Sequence, residues 1–172
     1  ALKNILGGDN RFYNNIFVEA DAEIPSRNDP NAERKKGYGL EVYNAVKLPM
    51  QIDGNVYFKG AKPCIKGTNY VEKQDFDPKI EIVEQGENVY LYITLDESFK
   101  SLHNKLVTTK LLSKAVIPGQ VYENPDGSPL KVDTDYFGKK RDLNNPSAGP
   151  FENPGTGRVK LKVWPKGDNE KK

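Results

Sequence analysis

Two short segments forty residues apart repeat one pattern, Asn15-Ile16-Phe17-Val18 and Asn55-Val56-Tyr57-Phe58. A recurring Asn followed by bulky apolar residues is typical of stacked coils in a parallel β-helix. There each coil lays the same residue type over its neighbour, and buried Asn side chains hydrogen-bond along the stack. Solenoids bury their core only by such stacking, so several coils are needed for stability. Two copies are fewer than the ~3 that establish a repeat. The alternative is two unrelated strands of similar composition.

Three segments in the first sixty residues read as strands: 11–18 (RFYNNIFV), 39–44 (GLEVYN) and 51–58 (QIDGNVYF). A charged loop with two Pro, residues 19–37, separates the first two and is expected to be solvated and mobile. In the second half, 88–95 (NVYLYITL) is a strong strand, and 106–117 suits a strand or a helical turn. Residues 120–122 and 130–133 flank NPDGSP, a turn signal with Pro, Asp and Gly in order. Residues 159–164 (VKLKVW) alternate, with Val159, Leu161 and Val163 on one face and Lys160, Lys162 and Trp164 on the other. Fifteen Gly, twelve Pro and nine Tyr agree with an all-β chain of many turns. A soft boundary near residue 85 divides an expected domain 1–85 from a second, 86–165. The tail 166–172 is expected to be disordered.

The chemistry that the sequence argues against is broad. A net charge of +2 gives no field to draw nucleic acid or an anionic membrane. No apolar run approaches the ~20 residues of a membrane-spanning helix. Cys64 is the single cysteine, which rules out an internal disulfide, and it reads as structural. With one His in the chain, the roughly four ligands of a zinc site are not in prospect. His103 has no Ser/Asp partner pattern, and GKK at Gly138 lacks the upstream Gly of a nucleotide loop. Asp126, Asp133 and Asp135 suit turns better than the converging oxygens of a calcium loop. No metal and no cofactor are expected. Trp164 is expected to pack against another layer rather than to stack on a sugar.

Several segments, in order, carry a resemblance: GGDNRFYNNIFV, LPMQIDGNVYFKGAKP, ENPDGSPLKVDTDYFGKKR and NPSAGPFE with VKLKVWP. Together they resemble the final part of parallel β-helix glycoside hydrolases of the β-xylosidase type, over residues 7–165. DTDYFGKKR and NPSAGPFE are the most specific stretches. The loop 19–36 is longer than that family's usual connection. The resemblance implies a right-handed β-helix bearing a β-sandwich-like domain, and retaining hydrolysis of β-linked xylose by two carboxylates. Family members are several times longer, so much of the helix would be absent here.

Glycoside hydrolysis needs two carboxyl groups ~5 Å apart for retention or ~6.5–9.5 Å for inversion. Adjacent parallel strands lie ~4.8 Å apart, which suits acids on stacked strands. The forty-residue offset places Asp9, Arg11 and Tyr13 over Pro49, Gln51 and Asp53, with Ile52 facing inward. Asp9, Arg11, Tyr13, Gln51 and Asp53 then form one outer strip. Asp9 is the first candidate for a catalytic carboxylate, and Asp53 or Glu41 for the second. Glu41 is expected on a strand between inward-facing Leu40 and Val42. Arg11, Tyr13 and Gln51 are the candidate substrate-binding residues, with Tyr13 as a stacking platform. A mixed-charge outer strip is also what any solvated sheet face looks like.

The expected fold is all-β, the last coils of a right-handed parallel β-helix followed by a β-sandwich-like cap. The expected function is the carboxy-terminal part of a glycoside hydrolase of β-xylosides, secreted or periplasmic and incomplete alone. Its partners would be a xylo-oligosaccharide and either the missing amino-terminal portion or a second copy, with no nucleic acid and no membrane. Two rivals stand beside it, a non-catalytic carbohydrate-binding domain and a purely structural piece.

Overall fold

The computed structural model describes residues 7–19 and 39–165. The tail 166–172 and most of the charged loop 19–37 therefore lie outside the described residues. What is described is nearly all β, with one four-residue α-helix, α1 (Thr109–Leu112). No described helix is long and apolar enough to cross a membrane.

The repeat folds as stacked parallel strands. β1 (Arg11–Tyr13) pairs in parallel with β3 (Gln51–Asp53), Arg11 opposite Gln51 and Tyr13 opposite Asp53. β2 (Ile16–Val18) pairs in parallel with β4 (Val56–Phe58), Ile16 opposite Val56. The forty-residue offset read from the sequence is thus the register of both pairs. A third layer follows after only fifteen residues, where β5 (Val71–Lys73) pairs in parallel with β4, Val56 opposite Val71.

Each layer turns its corner through a left-handed residue, Asn14 (φ 57°) between β1 and β2, Gly54 (φ 73°) between β3 and β4, and Asn69 (φ 46°) between the Thr68 bridge and β5. Asn and Gly are the residue types that adopt this conformation most readily. The backbone is carried across the corner by Val56 N–H to Asn15 O (2.8 Å) and Val71 N–H to Asn55 O (3.1 Å).

The apolar run at β4 does not alternate because both of its faces are covered. Tyr57 faces Phe17 in a stacked ring pair at 5.2 Å and joins Leu40, Ile52, Ala61 and Cys64 inside the stack. Val56 and Phe58 point the other way, into a second cluster with Ile93, Leu95, Phe99 and Leu102. All three β4 side chains are fully buried. Burial of that kind stabilises by about 1.5–3 kcal/mol per side chain. Runs with no alternation mark strands buried on both faces.

The covering layer is a three-stranded antiparallel sheet, β6 (Glu81–Gln85), β7 (Asn88–Leu95) and β8 (Gly157–Trp164), in the order β6-β7-β8. Leu91, Ile93, Leu95 and Val159 supply its inner face. The expected sandwich therefore takes a different form. Its second layer is the parallel β2-β4-β5 sheet, and the rest of the second half contributes isolated bridges such as Thr108–Lys131 and Thr134–Lys140. The β6–β7 hairpin spans the boundary expected at residue 85, and the change from parallel to antiparallel pairing comes between Lys73 and Glu81.

Three local expectations are corrected. Residues 39–44 form no strand; Glu41–Tyr43 is a 3-10 turn closed by Tyr43 N–H to Leu40 O at 3.0 Å. Val42, expected to face inward, is 63% exposed. A local turn bond satisfies this backbone, so it needs no ladder partner. Trp164 does not pack; it is 60% exposed at the end of β8, beyond a register irregularity opposite Val89 and Tyr90.

The two stretches most specific to the resemblance lock together. Asp135 accepts the N–H groups of Phe137, Lys139 and Glu152, each at 2.9 Å. Arg141 donates to the carbonyls of Thr134, Ser147 and Gly149 at 3.0–3.2 Å. Asp126 accepts from Ser128 within NPDGSP, and Asp133 pairs with Lys140 at 3.1 Å. Asp126 thus serves one turn, while Asp133 and Asp135 serve another, closed by the Thr134–Lys140 bridge.

Candidate functional site

β1 and β3 carry Arg11, Tyr13, Gln51 and Asp53 side by side, and Asp9 enters just before β1, its N–H bonded to Pro49 O at 2.8 Å. Side-chain contacts follow this register. The Tyr13 hydroxyl donates to Gln51 Oε1 at 3.0 Å, and Gln51 Nε2 donates to Ser113 Oγ at 3.2 Å. The structure brings these five residues onto one face. Glu41 is not among them; its Oε2 is buried without a partner near Gly39.

The strip is covered rather than open. Arg11 donates from Nε to Leu112 O (3.2 Å) and from Nη2 to Lys114 O (2.7 Å), and its guanidinium lies 4.9 Å from the Tyr122 ring centre. Its Nη1 is paired with Asp9 Oδ1, and Asp9 Oδ2 accepts the Val116 N–H at 2.7 Å. The Arg11 hydrogen bond holds the Asp9 carboxyl below its ordinary value, against a smaller opposing effect of burial. Asp53 is occupied in the same way, Oδ1 by Asn69 Nδ2 (3.0 Å) and Oδ2 by Lys105 Nζ (2.7 Å). That pairing raises the Lys105 ammonium above its usual value. Burial raises the Tyr13 phenol, and the Asp53 charge adds to the effect. The segment from Lys105 to Val116 is thus tied to the stack through the side chains that the sequence nominates for chemistry.

Register also sets how two carboxylates can cooperate. Asp9 lies beside Pro49, whereas Asp53 lies beside Tyr13, four residues further along. The two acids thus stand on different rows of the strip and not on directly paired residues. An acid on a layer stacked over Asp9 would lie ~4.8 Å away.

Residues that the sequence reading passed over complete the site. Asn14 Oδ1 and Asn104 Oδ1 are both buried without a hydrogen-bond partner, and both lie against Gly54, 2.4 Å from where a Cβ would stand. Their amide nitrogens are fixed, Asn14 on Lys105 O and Asn104 on Pro146 O, each at 2.9 Å. Beside Asn14 a cleft of about 360 Å³ runs between Tyr13, Ile16, Val107, Val132 and Pro150. A Gly at the partner position of Asn14 was the one sequence signal for this junction; nothing local pointed to Asn104 or Lys105.

Neither protein-family models nor curated proteins give a match to this chain. A solved structure described as the complex of XylC with xylose is similar to it, at 32% identity and a TM-score of 0.79. The match covers 92% of this chain and 26% of that one, so this chain spans about a quarter of that protein's length.

Proposed function

We propose that this chain is the carboxy-terminal part of a parallel β-helix glycoside hydrolase acting on β-linked xylosides. The observation that carries the reading is the register, Asn15 over Asn55 in two parallel pairs, together with likeness to a protein solved with xylose. In this reading the parallel layers up to Lys73 are the closing coils and the segment from Glu81 onward is their cap. β1 and β2 have no strand on their outer side among the described residues, so a preceding coil has an open edge on which to continue.

The chemistry divides accordingly. Asp9, held ionised by Arg11, suits the carboxylate that attacks or stabilises the sugar and not the one that donates a proton. The proton donor would come from an acid on a preceding layer. Tyr13 lines the cleft, while Gln51 and Asp53 hold Tyr13 and the segment from Lys105 to Ser113 in place. A second reading, a non-catalytic carbohydrate-binding or structural β domain, is favoured by one observation: both oxygens of Asp9 and both of Asp53 already have partners.

Calorimetry with xylo-oligosaccharides, paired with a reducing-sugar assay, tests the two. The chain alone is expected to bind without turnover. A longer polypeptide that supplies preceding coils is expected to turn over, and to lose at least a hundredfold in kcat on Asp9→Asn. Unchanged turnover in that variant would make Asp9 an anchor only. No binding and no hydrolysis of any xyloside, by either polypeptide, would sink the xyloside reading.

A further inference from the structure

The face of the antiparallel sheet turned away from the core carries a pattern of its own. Residues directly opposite in such a sheet share a face. The register puts Glu81, Tyr92 and Lys160 in one row, Val83, Tyr90 and Lys162 in the next, and Thr94 with Arg158 beyond. Same-face residues recur every ~6.7 Å along a strand, and strands lie ~4.8 Å apart, so these rows form a plate of about 13 by 10 Å.

Its charge is one-sided. Glu81 is occupied by Arg158 at 2.9 Å. The Lys160 ammonium lies 4.0 Å from the Tyr90 ring centre and 5.5 Å from that of Tyr92, with Gln85 Oε1 at 3.5 Å. Lys162 follows in the neighbouring row. Neither lysine has a carboxylate partner among the described residues. The ring quadrupoles hold the Lys160 cation over the plate, where an arriving anion finds it already placed. The Arg158 guanidinium, reaching across to Glu81, lies 5.4 Å from the Tyr92 ring centre, so both tyrosines of this strand serve as seats for cations.

We propose that this face binds a saccharide bearing a carboxylate, a uronate, with the carboxylate held by Lys160 and Lys162. A neutral sugar would displace water from both ammonium groups and give nothing charged in return, which is unfavourable. The carboxylate part of the inference stands on the charge pattern; the choice of a sugar, and of a xyloside, to carry it rests on the proposed function.

Titration calorimetry on the full chain at low salt tests it with four probes: a neutral xylo-oligosaccharide, a glucuronate-substituted one of equal length, an oligogalacturonate, and a single-stranded oligodeoxynucleotide. The glucuronate-substituted probe is expected to bind at least tenfold tighter than the neutral one. That advantage is expected to vanish in the double variant Lys160→Gln, Lys162→Gln and to shrink as salt rises. Equal binding of acidic and neutral probes, or an advantage that survives the double variant, overturns the proposal. Oligogalacturonate binding as tightly as the acidic xyloside keeps the platform and counts against the xyloside reading. Tight binding of the neutral probe alone does the reverse. A single-stranded oligodeoxynucleotide binding as well as the uronates would reduce the face to unspecific charge and overturn it too.

Discussion

Asn15 lies directly over Asn55, and Asn55 Oδ1 accepts both the Asn15 N–H (2.9 Å) and the Asn15 side-chain amide (3.0 Å). Asn55 Nδ2 in turn donates to Phe12 O at 2.8 Å. One buried side chain thus ties two strands of the layer beside it at the corner where the chain turns from β1 to β2. Tyr70 takes the matching position in the third layer, its ring set edge-on to Tyr57, and the Asn ladder ends there.

Truncating Asn55 should be among the most damaging single changes. Asn55 is fully buried, and Asn55→Ala leaves the part-buried Phe12 O and Asn15 N–H without this partner. Orphaned buried groups cost about 1–3 kcal/mol each, so a loss of about 3–5 kcal/mol is expected. Urea unfolding should show a lower midpoint at an unchanged m-value. A loss under about 1 kcal/mol would mean that the ladder contributes little.

Gly54 and Gly127 separate backbone strain from steric clash. Both have left-handed φ, 73° and 80°. A Cβ at Gly54 would stand 2.4 Å from Asn14 Oδ1 and Asn104 Oδ1, whereas one at Gly127 meets nothing within 4 Å. Gly127→Ala should cost about 1–2 kcal/mol from conformation alone. Gly54→Ala should cost at least about 2 kcal/mol more, because two amides must also move. Equal losses in urea unfolding would show that the amides yield freely.

Much of the stack is legible in the sequence because its signals are local and repeated. The Asn15 and Asn55 segments announce their register, and the alternation of Val159, Leu161 and Val163 announces a half-buried strand, which β8 is. Glu41 misled because GLEVYN has strand composition, while its backbone closes a 3-10 turn. Trp164 misled because composition cannot show that β8 runs past its covering layer. The strip itself was readable, but its cover was not. Lys105, Ser113 and Val116 reach it from about a hundred residues away in the case of Asp9 and Val116, and no short-range pattern encodes such a contact. What looked like an open acidic face is a junction.

Asp135 should hold the second half together. Its carboxylate accepts three backbone N–H groups and is 9% exposed. Asp135→Ala would leave three donors to find water or stay unpaired, at a cost of about 3 kcal/mol or more. Limited proteolysis should then cut within 136–150 at a rate at least tenfold above the parent. Asp135→Asn keeps an acceptor for some of these donors and should fall between the two. If Asp135→Ala is cut no faster than the parent, the carboxylate does not organise this loop.

The Asp9 anchor should make the junction sensitive to acid. Arg11 is the main reason that the Asp9 carboxyl sits below its ordinary value, with the Val116 N–H adding to it. A carboxyl depressed in the folded state contributes stability above its unfolded value, near ~3.9, and loses it as pH falls through the folded value. The window therefore lies on the acid side, below about pH 4. Hydrogen exchange of the Val116 amide, corrected for its intrinsic pH dependence, reads that contact directly. Protection should be high at pH 6 and fall as pH is lowered below about 4 through the Asp9 titration, while amides of the β7–β8 ladder keep theirs. In Asp9→Asn the same amide should be weakly protected throughout this range, because a neutral side chain no longer pairs with Arg11. Protection of Val116 that is indifferent to both acid and substitution would show that the segment is seated by packing, with the Asp9–Arg11 pair incidental to it.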